Sequence, residues 1–264
     1  MYPTTTTLSR LMSYYNILNL SHGAKEDKLG DVYEDYCVEI LGSNDLLDKS
    51  KNNNLNLSNT DEYIFHSVFS KNIIPYIEKI YHISATRNIQ HRITGGHPKT
   101  DIIVDIQTNN STLQLPISIK QTTAPKVAMA EFDVNTIVRE IGITDHVLIL
   151  LLEKHQKDAS AKNFTPTEKQ ELFNRMIAYK HKFVRWVISG TPQPTDDLRY
   201  PDLLIKFSLT KSNQISNINC YTMDEYVDYL TIDQHGNPKK GGFGTGLSWT
   251  YATGSKGEKI QFKG

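Results

Sequence analysis

Two runs of alternating apolar and polar residues near the middle of the chain limit its possible folds more than any other feature. In the first run, residues 100–107, apolar residues occupy every second position from Ile102 to Ile106, and residues 111–121 alternate in the same way. Because successive side chains of a strand point to opposite faces, each run predicts a strand. The turn between them predicts a β-hairpin, in which Pro116 indicates an edge or a bulge.

Helical patterns on both sides of the hairpin make this an α/β chain. Apolar residues recur at helical spacing over residues 25–41, and Thr165 offers an N-cap for a long helix over residues 166–188. The Asn-rich stretch 43–60 predicts an exposed loop. The remaining predicted elements are helices over residues 7–18, 61–81 (capped by Asp61 and kinked at Pro75), 130–141 and 145–158, strands over 202–209 and 215–221, and a short helix from about Met223.

The charge balance of the 264 residues excludes some functions. Lys and Arg number 29, as do Asp and Glu, so the chain is neutral and unsuited to coating nucleic acid or anionic membranes in bulk. A polyanion would have to meet a local basic patch. The tail segment, residues 235–264, is the candidate, because it holds eight of the fifteen glycines, several aromatic residues, and five lysines against one glutamate.

Cysteine content and hydropathy bear on location. Two cysteines, Cys37 and Cys220, exclude a disulfide framework. The longest apolar stretch, residues 147–152, is far shorter than the ~20 residues that span a bilayer, so we expect no membrane association. These features are typical of a cytoplasmic protein.

The polar face of the hairpin carries the candidate chemistry. Strand alternation places Asp101, Ser118 and Lys120 on one side of the sheet. A carboxylate beside a lysine can hold Mg²⁺ and stabilise charge on an attacking hydroxide and a scissile phosphate, as metal-assisted phosphodiester hydrolysis requires. Since a hard dication prefers several oxygen ligands, a second acid is needed, and Glu34 on the helix 25–41 is the best candidate.

Less specific interpretations of these residues stay open. An aspartate followed at this distance by Ser-x-Lys also occurs by chance in α/β proteins, and nucleases of this kind usually have an acid where Ser118 stands. Asp105 lies on the same face as Asp101 and is its rival as metal ligand. The acids around Glu34 are more often a solvated helix face than a metal site.

Several segments of the chain, in order from end to end, closely resemble one family of type II restriction endonucleases. The C-terminal segment is the most specific of them, since it is long and rich in Trp, Tyr and Gly. The resembling segments are DKLGDVYEDY (27–36), GGHPKTD (95–101), LPISIK (115–120), AEFDV (130–134), FTPTEKQ (164–170), YPDLLIKF (200–207) and GFGTGLSWTYATGSKGEKIQFKG (242–264).

The resemblance implies a PD-(D/E)xK restriction-endonuclease-like fold, with a central mixed β-sheet flanked by helices. It implies one such domain over residues 1–264, with a catalytic core at about 20–222 and a DNA-recognition segment at about 235–264. The implied activity is Mg²⁺-dependent cleavage of double-stranded DNA at CCGG, giving 5′-phosphate and 3′-hydroxyl ends. A monomer without a small-molecule cofactor, paired with a cognate DNA methyltransferase in a prokaryotic restriction-modification system, is implied as well.

Residue by residue, the family's metal-binding acids correspond to Asp101 and Glu34, and its catalytic lysine corresponds to Lys120. The position two residues before that lysine is Asn in the family and Ser118 here, in a hairpin whose loop is one residue shorter. A serine hydroxyl can orient water, but it supplies no charge.

The resemblance also implies which residues contact the bases. Thr250, Tyr251, Gln261 and Lys263 match family positions associated with groove contacts, and their side chains have the donors and acceptors that base edges require. A base-contacting serine of the family is replaced by Ala128, so that role would move to a neighbour such as Lys126.

Other functions remain alternatives at this stage. The chain could be a catalytically impaired, sequence-specific DNA-binding protein of the same fold, given Ser118, or a repair nuclease that recognises DNA structure. The tail could be only a packed β-hairpin. A nucleotide-binding loop is disfavoured because GxxxxGK[ST] is absent, and zinc is disfavoured because the nine histidines lack metal-site spacing.

Overall fold

The computed structural model describes residues 2–71, 74–91, 97–251 and 257–264. The helices are α1 (Thr6–Tyr14), α2 (His22–Leu41), α3 (Asn44–Lys51), α4 (Thr60–Phe69), α5 (Val134–Ile141), α6 (His146–Asp158), α7 (Pro166–Met176), α8 (Lys180–Ser189) and α9 (Met223–Thr231). The strands are β1 (Ile80–Thr86), β2 (Ile102–Thr108), β3 (Thr112–Thr122), β4 (Ala128–Phe132), β5 (Leu203–Leu209), β6 (Ile215–Thr222), β7 (Ser248–Tyr251) and β8 (Ile260–Lys263). Short 3₁₀ helices cover Ile17–Asn19, Ile74–Lys79, Ile177–Tyr179 and Gly241–Gly244.

The chain divides into two compact units. Unit 1 comprises Met1–Pro125 and Asp196–Thr222, and unit 2 comprises Lys126–Thr195 and Met223–Gly264. Residues 126–195, which the sequence analysis assigned to the catalytic core, therefore share a unit with the tail segment. No helix in the described part of the chain is long and apolar enough to cross a membrane.

Unit 1 is built on a mixed sheet with the strand order β1-β2-β3-β5-β6. The predicted hairpin forms its centre, since β2 pairs antiparallel with β3 in a register that sets Ile102 opposite Ile117. β3 then pairs parallel with β5 from Ile117 onward, and the other neighbours are antiparallel. Pro116 thus lies just before the pairing with β5 begins, where β3 is paired only with β2. Proline is tolerated at such a position because its missing N–H is not needed by a second neighbouring strand. The predicted α/β fold with a mixed sheet is confirmed.

Helix α2 lies against β1, β2 and β3 and has one apolar and one acidic face. Leu29, Val32, Tyr33, Tyr36 and Cys37 recur at helical spacing and are fully buried, so they fix the rotation of the helix on the sheet. The acids of the same helix therefore emerge along one edge of that interface, which is how Glu34 reaches the polar end of the hairpin.

Unit 2 contains a smaller sheet with the order β4-β8-β7. One face of this sheet is apolar and packs on α8, where Phe132 stacks on Trp186 with ring centroids 3.9 Å apart and Phe262 lies 5.2 Å from Phe183. Strands β7 and β8 of the tail segment are thus paired, and one face of their sheet is packed. Its other face is polar.

Two predictions around residues 43–81 were wrong. The expected loop contains α3, because the Ser43 side chain accepts a hydrogen bond from the amide of Leu46, and both Leu46 and Leu47 are buried. The expected helix over residues 61–81 ends at Phe69 and is capped by Asn59 instead of Asp61. Residues 80–86 form β1, which pairs with β2, so the last two residues of the predicted helix belong to a strand.

The helix predicted over residues 130–141 was also placed too early. Ala130 pairs with Phe262 in β4, and the helix begins only after Asp133, whose side chain accepts from the amide of Thr136. The helix predicted over residues 166–188 is confirmed with a 3₁₀ break at Ile177–Tyr179, and Thr165 forms the expected cap, in a reciprocal arrangement with Glu168.

Candidate functional site

Asp101 forms the centre of a polar cluster at the start of the hairpin. Its Oδ2 accepts hydrogen bonds from Ser118 Oγ at 3.0 Å, from the amide of Ile119 at 2.6 Å and from Lys120 Nζ at 2.9 Å. The alternation of β3 sends Ser118 and Lys120 to the side of the sheet on which Asp101 lies, so the cluster follows directly from the hairpin register.

Ser118 is fully buried, and its hydroxyl donates to Asp101. This contact differs from the water-orienting role that the sequence predicted, because the one proton of the hydroxyl is directed at the carboxylate. In the described structure Ser118 holds Asp101 in place.

Glu34 reaches the same site from α2. Burial raises its pKa to about 7, and the neighbouring Asp101 carboxylate adds to the increase, while Arg87 and Lys120 oppose it. A buried carboxyl group with a raised pKa beside a second carboxylate is typical of a position where a cation is bound.

Arg87, which the sequence analysis missed, holds the acidic face of α2 together. Its guanidinium lies 2.5 Å from Glu34 Oε2, 2.7 Å from Asp31 Oδ1 and 2.8 Å from Asp35 Oδ1. Arg87 follows β1, a strand that the sequence pattern did not predict, since the predicted helix ended at residue 81 and residues 82–86 were not assigned. No local signal could therefore have placed this arginine beside α2.

The donor set fits a divalent cation that prefers oxygen. All three donors to Asp101 use Oδ2, which leaves Oδ1 without a hydrogen-bond partner among the described residues. Glu34 provides the second carboxylate. Within the described ranges no group of three or more His, Cys, Asp or Glu is placed to bind a metal, so the two acids would leave other positions to water.

Asp105 lies apart from this cluster. Its carboxylate accepts from Gln114 Nε2 at 2.7 Å on an exposed part of the hairpin. Four residues of extended strand separate it from Asp101, roughly 13 Å at ~3.3 Å per residue. The geometry therefore favours Asp101 over Asp105 as metal ligand.

The sheet of unit 2 presents a polar face with two cross-strand rows. Gln261 is paired with Thr250 on one side and with Glu131 on the other. In the next row, Lys263 is paired with Ser248 and Ala128. We call these six residues the polar face. Among the described residues the structure gives the Lys263 ammonium no hydrogen bond or ion pair.

The two other residues assigned to base contact lie elsewhere. Tyr251 is paired with Ile260, so strand alternation puts it on the face opposite Gln261, at a strand end where it is 41% exposed. Lys126 donates to the Gly246 carbonyl at 2.7 Å, and burial, assisted by Lys239, lowers its pKa. In this structure Lys126 secures a turn.

The glycines that precede β7 are required by backbone geometry. Gly242 and Gly246 have φ of +57° and +70°, and a Cβ would come within 1.9 Å of the Leu247 carbonyl oxygen and 1.6 Å of the Leu230 carbonyl oxygen, respectively. The GFGTG motif is therefore a tight fold of the backbone that sets the position of β7. Residues 252–256, within the C-terminal resembling segment, and residues 95–96 lie outside the described residues.

Comparison with known proteins identifies the family of the chain. Residues 15–264 match the family model described as restriction endonuclease MspI. The chain is 35% identical over 266 residues to the type II restriction enzyme MspI from Moraxella sp, covering 98% of this chain and 99% of that protein. It is 27% identical over 259 residues to the type II restriction enzyme BsuFI from Bacillus subtilis, covering 93% of this chain and 61% of that protein.

A solved structure gives the same result for the fold. The crystal structure of MspI in complex with its cognate DNA matches with a TM-score of 0.88 and 35% identity, covering 99% of this chain and 100% of that one. Type II restriction endonucleases generally need a divalent metal. Because both the family model and the first relative extend over almost the entire length, the chain belongs to the MspI family of type II restriction endonucleases.

Proposed function

We propose that this protein cleaves double-stranded DNA at CCGG in the presence of Mg²⁺ and leaves 5′-phosphate and 3′-hydroxyl ends. Sequence-specific DNA cleavage is the activity of its family. The observation that carries the proposal is the cluster of Asp101, Lys120 and Glu34, which combines two acids with a lysine at one end of a mixed sheet.

Each residue has a proposed role that follows from its contacts. Asp101 Oδ1 and the Glu34 carboxylate would hold the cation, since Oδ2 of Asp101 is occupied by three donors. A bound Mg²⁺ supplies Lewis-acid activation of water and neutralises charge on the scissile phosphate. Lys120 places a positive charge where the phosphate becomes more negative in the transition state. Ser118 acts as a positioning residue for Asp101.

Recognition of the bases is assigned to the polar face. Gln261 and Thr250 offer both donors and acceptors, and Lys263 offers an ammonium that can donate to guanine O6 and N7. The position of Tyr251 on the other face supports a contact of a different kind, to backbone or to the rim of a groove. Lys126 has its ammonium committed to Gly246, which favours Lys263 as the reader of guanine.

The proposed setting follows from the family. A restriction enzyme acts on DNA in the prokaryotic cytoplasm, where a cognate methyltransferase protects the host sites. We propose that the protein acts as a monomer, with both units belonging to one functional endonuclease domain.

Digestion of a mapped plasmid tests the proposal. With Mg²⁺ the protein should produce fragments whose sequenced ends all lie within CCGG, and without a divalent metal it should produce none. Protection of CCGG by binding without cutting would instead support the catalytically impaired alternative. Cutting at mismatches irrespective of sequence would support a repair nuclease.

A further inference from the structure

The Gln261 amide is held from both sides on the polar face. Its Nε2 donates to Glu131 Oε1 at 2.7 Å, and its Oε1 accepts from Thr250 Oγ1 at 3.2 Å. Both neighbours lie directly opposite Gln261 on adjacent strands, so the row is a product of the sheet register. Glu131 was not among the residues that the sequence analysis selected.

Of the two neighbours, Glu131 alone fixes which end of the amide faces which strand. An ionised carboxylate only accepts hydrogen bonds, so it requires the NH₂ end of Gln261. The Thr250 hydroxyl can donate or accept, and it is also 3.3 Å from the backbone carbonyl oxygen of Gln261. Its contact with the amide would therefore survive a flip of that group.

A fixed amide is a fixed pattern of donor and acceptor. With one N–H directed at Glu131, Gln261 retains one N–H toward β4 and one carbonyl lone pair toward β7 for a further partner. Base edges in the major groove differ in the order of their donors and acceptors, so a flipped amide would suit a different base pair.

From this geometry we infer that Glu131 is a positioning residue that sets the donor and acceptor order of Gln261 and thereby contributes to sequence discrimination. The inference rests on the proposed function, in which Gln261 reads a base edge. It adds a residue that contributes through Gln261.

The charge of Glu131 acts in the same direction. Its side chain is exposed on a face that would meet a polyanion, and a carboxylate there weakens attraction to phosphates of any sequence. Only DNA that makes use of the ordered amide compensates for that repulsion. A glutamine at this position would lose both effects, since it is neutral and can face Gln261 with either end.

The test measures dissociation constants without divalent metal for a CCGG duplex and for duplexes with one base pair changed. The variants are Glu131→Gln, Gln261→Ala and the double variant, with thermal melting to verify folding. Glu140→Gln is the matched control, because it removes a carboxylate of unit 2 that pairs with Arg139 and lies outside the polar face.

We expect Glu131→Gln to reduce the ratio of non-cognate to cognate dissociation constants about tenfold, within the range that one misread base contact costs. Glu140→Gln should leave the ratio within about twofold of wild type. When Gln261 is already Ala, Glu131→Gln should no longer change this ratio. It should only raise the affinity for all duplexes by the same small amount, because a negative charge has been removed.

Three outcomes would overturn the inference, and they are distinguishable. If Gln261→Ala lowers the ratio and Glu131→Gln does not, Gln261 reads bases without help from Glu131. If Glu131→Gln lowers the ratio equally in both backgrounds, Glu131 acts independently of Gln261. If Gln261→Ala itself leaves the ratio unchanged, the proposed base-reading role of the polar face fails, and the inference fails with it.

Discussion

At the scale of single residues, Asp101 is defined by what each of its oxygens does. Oδ2 accepts from a hydroxyl, a backbone amide and an ammonium, and these three contacts orient the carboxylate. The other oxygen is thereby presented to the site. This asymmetry is the structural basis for assigning the metal to Asp101 and the charge stabilisation to Lys120.

Lys120→Ala should abolish cleavage and leave discriminating DNA binding in place. The substitution removes a positive charge that is needed most in the transition state, and it removes little that binds DNA in the ground state. Single-turnover cleavage and binding without metal measure the two separately. Cleavage within about tenfold of wild type would reject the assignment.

Asp101→Asn should remove metal-dependent cleavage, whereas Asp105→Asn should retain it. Asn is neutral and has one acceptor oxygen where Asp101 has two. It therefore cannot accept from Ser118, Ile119 and Lys120 through one oxygen and offer a second oxygen to the cation. Asp105 accepts from Gln114 Nε2 on an exposed part of the hairpin, apart from the Asp101 cluster, and is the matched control. The reverse result would mean that the metal ligand is Asp105, four residues further along the chain.

Ser118→Ala should lower the cleavage rate about 10 to 100-fold without abolishing it, the range expected when a reacting group is slightly displaced. The variant loses one of three donors to Asp101, and the Ile119 amide and Lys120 remain. The apparent affinity for Mg²⁺ in the cleavage assay should weaken as well. Complete loss of cleavage would make Ser118 a direct participant in the reaction.

At the scale of elements, local patterns were sufficient where an element is stabilised by its own neighbours in sequence. The β2–β3 hairpin, the Thr165 cap and the apolar face of α2 could all be predicted, and with them the proximity of Asp101, Ser118, Lys120 and Glu34. β1 and β4 could not, because each is fixed by pairing with a strand distant in sequence. Arg87 and Glu131 belong to those two parts of the chain, which is why both were missed.

In strand β8, Lys263→Ala should cost about 1 to 3 kcal/mol in binding at CCGG and narrow the gap to non-cognate DNA. Lys239 is the control, since its ammonium already contacts the Tyr229 carbonyl oxygen and ring. Lys239→Ala should weaken all sequences alike and change the salt dependence by at most about one ion. If Lys263→Ala instead weakens binding to CCGG and to non-cognate DNA equally, Lys263 only neutralises phosphates.

Helix α6 carries a histidine that should make unit 2 sensitive to acid. His155 is buried among Phe164, Phe243 and Trp249, and burial lowers its pKa to about 4. Above pH ~6.5 the imidazole is neutral whether the chain is folded or unfolded, so its contribution to the free energy of unfolding is fully present. As the pH falls from there toward 4, only the unfolded chain takes up the proton, so stability falls by about 1.4 kcal/mol per pH unit.

Denaturant unfolding of wild type and His155→Phe at pH 7 and pH 5 checks this sign. Phenylalanine keeps an aromatic ring in the pocket and cannot take up a proton. Between pH 7 and pH 5 the free energy of unfolding of the variant should fall by about 2 kcal/mol less than that of the wild type. An equal loss in both proteins would mean that His155 is protonated in the folded state.

At the scale of the whole molecule, the proposed roles divide between the two units. Asp101, Lys120 and Glu34 belong to unit 1, and the polar face belongs to unit 2. Substitutions in the first should therefore change the rate of cutting, and substitutions in the second should change which sequences are bound. Specific cleavage requires both units, so loss of cutting and loss of sequence discrimination can be observed separately.

The most direct test is single-turnover cleavage by the wild-type protein, with Mg²⁺, of a CCGG duplex and of every duplex that differs from it by one base pair. The account predicts rapid cutting of both strands within CCGG and rates lower by at least about 100-fold on every variant, since each lost base contact removes a few kcal/mol from the transition state. Comparable rates on CCGG and its variants would contradict it, as would cutting that persists after all divalent metal has been removed.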